Sequence, residues 1–255
     1  MKLKIAYFYP DLLNLYGDRG NVEILYYRAK QRGIDVEVEL IKVADKIDTS
    51  YMDSVDIVLM GGGPDSSQQG MYLDLLENKG NYLKEYIEKD GYGLYICGSY
   101  QLFGNYYKAS DGSILEGLKV FDMYTQHFGK DKPRCIGNVV CKLNANILED
   151  PYFSKNNIIG DTLVGFENHG GRTYLSSTLS PLGTVVRGHG NNSEDRGEGL
   201  WYKKSIGTYF HGPILSRNPH LADYLIAASL ELDYMQPLEI DNLIKSAHLK
   251  SLKHK

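Results

Sequence analysis

Apolar positions come in short bursts through the first hundred residues. Residues 3–9 are apolar and aromatic, the pattern of a buried strand. Residues 10–21, PDLLNLYGDRGN, are rich in turn formers. Gly20 or Asn21 can cap a helix over 22–31, which Gly33 closes. Residues 36–43, VEVELIKV, alternate polar and apolar and predict a second strand. Residues 55–60, VDIVLM, form a continuous apolar run, the mark of a strand covered on both faces, and lead straight into GGGPD. A helical stretch follows over 67–89, interrupted near 78–80. Tyr92–Ile96 predicts another short buried strand, and it stops at Cys97.

Strands alternating with helices predict an α/β fold with a mainly parallel central sheet flanked by helices. The active crevice of such a sheet lies beyond the carboxyl ends of its strands. Three stretches fall there: PDLLNLYGDRGN, GGGPDSSQQ and CGSYQ. They are distant in sequence and predicted to meet in space. The second half is strand-rich, with VFDMYT, CIGNVVCKL, TLVGFEN, GTVVRG and SIGTYFH as short β candidates. A helix is predicted over 219–232. The basic, polar IDNLIKSAHLKSLKHK predicts a loose helix or frayed tail. Without repeats or an internal linker, one domain is expected over 1–235, followed by a basic C-terminal tail or terminal helix over 236–255.

Composition narrows the function classes. A chain of 255 residues can bury a full core. Its net charge of −4 argues against a general nucleic-acid binder. No apolar run reaches the ~20 residues of a membrane span. The N-terminal apolar stretch is cut short by Tyr9, Pro10 and Asp11, so it reads as a strand rather than a signal peptide, and a cytoplasmic location is expected. The three cysteines, Cys97, Cys135 and Cys141, lack CxxC spacing, which argues against a disulfide framework or a zinc site; no metal site is expected. Cys135 and Cys141 lie six apart in a strand-like segment and read as packing residues.

Cys97 is different. It stands where a strand ends and a helix begins, with Gly98 and Ser99 permitting a tight bend. The helix start would favour thiolate, the form that attacks carbonyl carbon. A buried structural cysteine is the alternative reading. The GGGPD turn leaves backbone N–H groups able to approach a ligand, and Gly63 and Gly98 are the candidate oxyanion donors. A phosphate loop is excluded, because no GK[ST] follows. A cysteine nucleophile needs an imidazole. His211, at the end of SIGTYF, is the first candidate, with His169 and His189 as others. The run NNSEDRGEG reads as a solvated loop.

GGGPDSSQQ, ICGSYQLFG and GTYFHGPIL together resemble class I glutamine amidotransferase domains of the cobyric-acid-synthase-like (CobB/CobQ-like) branch, with a flavodoxin-like fold. LNLYGDRGN, GFENHGGRTY and GHGNNSEDRGEG narrow the resemblance to the glutaminase subunits of lipid II isoglutaminyl synthases, over roughly residues 4–235. The resemblance implies hydrolysis of L-glutamine to glutamate and ammonia through a thioester on Cys97, with His211 as base and Arg134 binding the substrate. It implies a heterodimer with a Mur-ligase-like subunit, MurT. That partner would hold ATP and Mg, with no cofactor in this subunit, and would amidate the D-glutamate of lipid II to D-isoglutamine at the inner face of the membrane. Two departures stand out. Tyr95 and Ser99 occupy the usual elbow glycine positions, and Pro213 stands where a carboxylate usually follows the histidine. Either the enzyme runs on a Cys–His dyad or an acid is supplied from elsewhere; the resemblance implies an Asp supplied in trans by the partner, and hence a glutaminase weak alone and strong in complex. The alternatives are another elbow-cysteine hydrolase, such as a peptidase or deglycase-like protein, and a non-catalytic regulatory module.

Overall fold

The computed structural model describes residues 1–63, 65–129 and 132–253, with the backbone only for 65–69. The main sheet is built from β1 (Lys2–Phe8), β2 (Asp35–Ile41), β3 (Ile57–Met60), β4 (Tyr92–Ile96) and the Ser205–Thr208 strand, all parallel. Across the sheet the order is Leu200–Tyr202, Ser205–Thr208, β4, β3, β1, β2, and the Leu200–Tyr202 edge strand runs antiparallel. The run read as covered on both faces is so: all of β3 is buried. Edge strand β2 does not alternate in burial: Val36–Glu39 are all half-buried, because an edge strand keeps both faces partly open. The first crossover is helix α1 (Gly20–Lys30).

The helical stretch after GGGPD breaks where expected. It runs Asp65–Asp74, widens into a π-turn over Leu75–Lys79, and resumes over Gly80–Glu88. Within a π-turn, residues five apart come face to face. Fully buried Lys79 therefore donates to Asp74, which also accepts from the Tyr9 hydroxyl at 3.0 Å. Pro64 of the GGGPDSSQQ stretch, and the side chains of 65–69, lie outside the described residues.

Besides a four-stranded sheet (Tyr106–Lys108, Ile114–Glu116, Met123–His127 and Gly171–Leu175), the strand-rich half forms a second, five-stranded antiparallel sheet. Its centre is the Cys135–Leu143 strand paired with Thr162–His169. Phe210–His211 joins its edge, with Phe210 opposite Glu167 and His211 opposite Phe166. Residues 205–208 belong to the main sheet and 210–211 to the second, so the chain crosses between sheets at Tyr209. The crevice lies along this seam. Cys135 and Cys141 are buried and free, and burial pushes both thiols up, as suits packing residues.

One surface reading is corrected and another is narrowed. NNSEDRGEG is not simply a solvated loop. Asn191 and Asn192 are buried, and the Asn191 amide exchanges hydrogen bonds of 2.9 Å with the backbone of Gly199. Glu198 is fully buried, accepting from the Thr208 hydroxyl at 2.6 Å and Tyr209 N–H at 3.1 Å, and burial pushes its carboxyl up to about 8. Of the two readings of the C-terminal segment, the terminal helix is the one found, and it is docked rather than loose. Asp241–Lys253 is a docked helix whose His248 is buried between the Arg217 carbonyl (2.8 Å) and the Thr162 hydroxyl (2.9 Å). Arg187 caps its last carbonyls at Ser251 and Leu252, where a cation suits the helix end.

Candidate active site

The elbow begins with one bond too many for a strand end. Cys97 N–H donates to the Thr208 carbonyl at 2.8 Å, which extends the parallel ladder past β4. The backbone then turns abruptly, with φ 52° and ψ −106° at Cys97, a conformation a non-glycine residue rarely adopts. Ser99 holds the bend. Its Oγ accepts from Ile96 N–H at 2.9 Å and lies 3.0 Å from the carbonyls of Met60 and Ile96. Serine at this position thus stitches β3 to β4. Cys97 is 7% exposed, at the floor of a crevice rather than on an open surface. The helix that follows, Gly98–Leu102, has only five residues. Its dipole is correspondingly small, so the helix start contributes little at the sulfur.

The imidazole of the site is His211. The ring is buried, and Nδ1 lies 3.1 and 3.2 Å from the two carboxylate oxygens of Asp18. Nε2 is buried, with no other hydrogen-bond partner at ordinary geometry among the described residues, and the Cys97 sulfur acts on the ring electrostatically. Burial opposes the charged imidazolium, but the interactions with Asp18 and Cys97 outweigh it and raise His211 to about 10. Asp18 is wholly buried and held by Gly62 N–H at 2.7 Å. Gly62 is where the three groups converge. A Cβ there would sit 2.8 Å from His211 Cε1, 3.0 Å from Cys97 Cβ and 3.3 Å from Asp18 Oδ2. Only glycine fits.

Asp18 corrects the sequence reading. The orienting acid was expected from a partner, or absent, because Pro213 stands two residues after His211. The carboxylate on Nδ1 instead belongs to this chain, 193 residues before the histidine, on the loop between β1 and α1. That loop was already read as lining the crevice. An acid within it, opposite the histidine's strand end, was the available signal. The case for a non-catalytic module, which rested on the missing acid, loses its support, and so does the argument for partner-dependent hydrolysis.

The remaining predicted residues are distributed around this core. Gly98 directly follows the sulfur, and buried Gly63 directly follows Gly62. The Gly62 N–H is committed to Asp18. Arg134 is exposed at the rim of the second sheet, where Nε donates to Asn168 Oδ1 at 2.9 Å and Nη2 to the Asn168 carbonyl at 3.1 Å. Asn168 Nδ2 donates at 2.5 Å to the hydroxyl of Tyr16, whose ring stands edge-on to His211 with centroids 5.0 Å apart. Arg134 is therefore wired to His211 through two side chains. The other candidate histidines do different work. His169 is stacked on Tyr209 at 3.6 Å, with Nδ1 2.7 Å from the Gly171 carbonyl, and burial holds it below its ordinary value. His189 contacts Ser193. Among the described residues no cluster of His, Cys, Asp or Glu could hold a metal, and no helix is long and apolar enough to cross a membrane.

The chain is similar to known proteins in sequence and in fold. Residues 4–219 match the CobB/CobQ-like glutamine amidotransferase domain. The chain is 40% identical over 239 residues to the lipid II isoglutaminyl synthase (glutamine-hydrolyzing) subunit GatD of Streptococcus pneumoniae, covering 94% of this chain and 85% of that one. It is 42% identical over 243 residues to the subunit of the same name from Staphylococcus aureus, covering 94% and 90%. A glutamine amidotransferase structure from Thermotoga maritima superposes with a TM-score of 0.54 at 16% identity, over 98% of this chain and 96% of that one, and so shares the fold.

Proposed function

The chain belongs to the CobB/CobQ-like glutamine amidotransferase family, and from that premise we propose how it works. It is a glutamine-hydrolysing subunit of the lipid II isoglutaminyl synthase type. The reaction runs on Cys97, His211 and Asp18, and the observation that carries this is their convergence around Gly62. The Cys97 thiolate attacks the side-chain amide carbon of glutamine. The tetrahedral oxyanion is received by backbone N–H groups of the elbow and the glycine turn, Gly98 and Gly63. His211, charged against Asp18, gives its proton to the departing ammonia, which leaves a thioester. Neutral His211 then takes a proton from water. The hydroxide attacks the thioester, glutamate departs, and the Cys97–His211 pair is restored. Arg134 holds the substrate's α-carboxylate, for which a guanidinium is well matched.

The ammonia passes to a partner that needs it. We assign that role to a Mur-ligase-like subunit, MurT, which would bind ATP and Mg and amidate the D-glutamate of lipid II, acting from the cytoplasm at the membrane's inner face. The test is glutamine-dependent amidation of lipid II by the two subunits together. Cys97→Ala should abolish ammonia release from glutamine while ammonium chloride still supports amidation. Retained hydrolysis in that variant removes Cys97 from its role, and failure with ammonium chloride removes the partner assignment.

A further inference from the structure

Tyr16 occupies an unusual position. It lies in the short 3₁₀ turn Leu15–Gly17 with a left-handed φ of 56°, a strained setting for a tyrosine. Strain is not repaid by burial, since Tyr16 is 43% exposed. Its ring stands edge-on to both His211 and Phe166, centroids 5.0 and 6.0 Å away, so it forms one wall of the crevice mouth.

The hydrogen-bond polarity around it is fixed by arginine. A guanidinium only donates, so Asn168 must turn Oδ1 towards Arg134. The amide's other end, Nδ2, then faces Tyr16 and can only donate, so the tyrosine oxygen is an acceptor there. The hydroxyl proton is left over. Among the described residues the Tyr16 hydroxyl donates to no acceptor. The mouth thus presents a cationic guanidinium and a phenol with an uncommitted proton, held by one asparagine, beside the residue that does the chemistry. Both groups call for an acceptor-rich, anionic ligand.

We propose that Tyr16 is a second substrate-binding donor, recognising the α-carboxylate of glutamine alongside Arg134, with Asn168 setting the direction of its proton. The inference rests on the glutaminase reading above and adds a specificity residue to it. A purely structural Tyr16, walling the crevice with its ring, would not need the hydroxyl.

Tyr16→Phe keeps the ring and removes only that donor. The measurement is ammonia release by the full chain with its partner subunit, from L-glutamine and from L-glutaminamide, in which an amide replaces the α-carboxylate. The variant should raise KM for glutamine roughly 10-fold with kcat within about twofold, as expected when a charge-assisted hydrogen bond made equally in ground and transition states is lost. Its KM for glutaminamide should match that of the wild type. An active wild type with an unchanged KM in Tyr16→Phe overturns the inference, as does an equal rise on both substrates. A wild type that releases no ammonia from glutamine overturns the glutaminase reading, and this inference with it.

Discussion

His211 carries a charge that its burial alone would forbid. The hydrogen bond to Asp18 and the electrostatic influence of Cys97 hold the ring raised to about 10. A histidine raised in this way contributes stability that is full below its unfolded value, near 6.5, and is lost as pH climbs through about 10. Function follows the same sign, because the imidazolium is the acid that releases ammonia. Asp18→Asn keeps the shape and removes the charge. It should lower kcat/KM at neutral pH on the order of 10²-fold. It should also move the alkaline limb of the pH profile towards acid, since His211 then loses its proton earlier. An alkaline limb unmoved by the substitution would show that Asp18 does not set the charge of His211.

At the scale of elements, the elbow is held from below. Ser99 takes the Ile96 N–H and reaches the Met60 carbonyl, so one hydroxyl joins β3, β4 and the turn. Ser99→Val, close in size but without the hydroxyl, leaves a buried N–H unpaired and should destabilise the fold by about 1–3 kcal/mol, measured by urea unfolding. Activity should fall further than stability alone accounts for, because the strained backbone of Cys97 depends on that clasp. This region also shows what the sequence could and could not convey. The continuous apolar run of β3 and the stop at Cys97 are local signals, and both elements stand where the pattern places them. The break near 78–80 is local too, and it is the π-turn. Asp18 was not legible in this way. Its role depends on a partner 193 residues distant, and the spacing around His211, with Pro213 in the usual position of the acid, pointed elsewhere. The burial of Glu198 and Asn191 was hidden for a similar reason, as polar composition is a guide to exposure only when no distant partner satisfies the groups.

The molecule as a whole is fastened by charge as well as by apolar contact. Arg28 of α1 is 1% exposed and donates to Asp223 of the Pro219–Ser229 helix at 2.6 and 2.7 Å and to Asp241 of the C-terminal helix at 2.7 Å. Three helices meet at one guanidinium. Arg28→Ala leaves buried Asp241 without its cation and Asp223 with Arg32 alone, and should cost about 3–5 kcal/mol in equilibrium unfolding. Glutamine hydrolysis by the molecules that remain folded should be near normal, since none of these groups belongs to the Cys97 crevice. The seam at Tyr209 has a different consequence. One unbroken length of chain supplies a strand to the main sheet, crosses, and supplies a strand to the second sheet before ending on His211. The two sheets cannot be cut apart into independent pieces. A fragment that stops before residue 205 forfeits a strand of each sheet and the imidazole in a single stroke, so the smallest hydrolytic unit this chain can yield must run past the crossing.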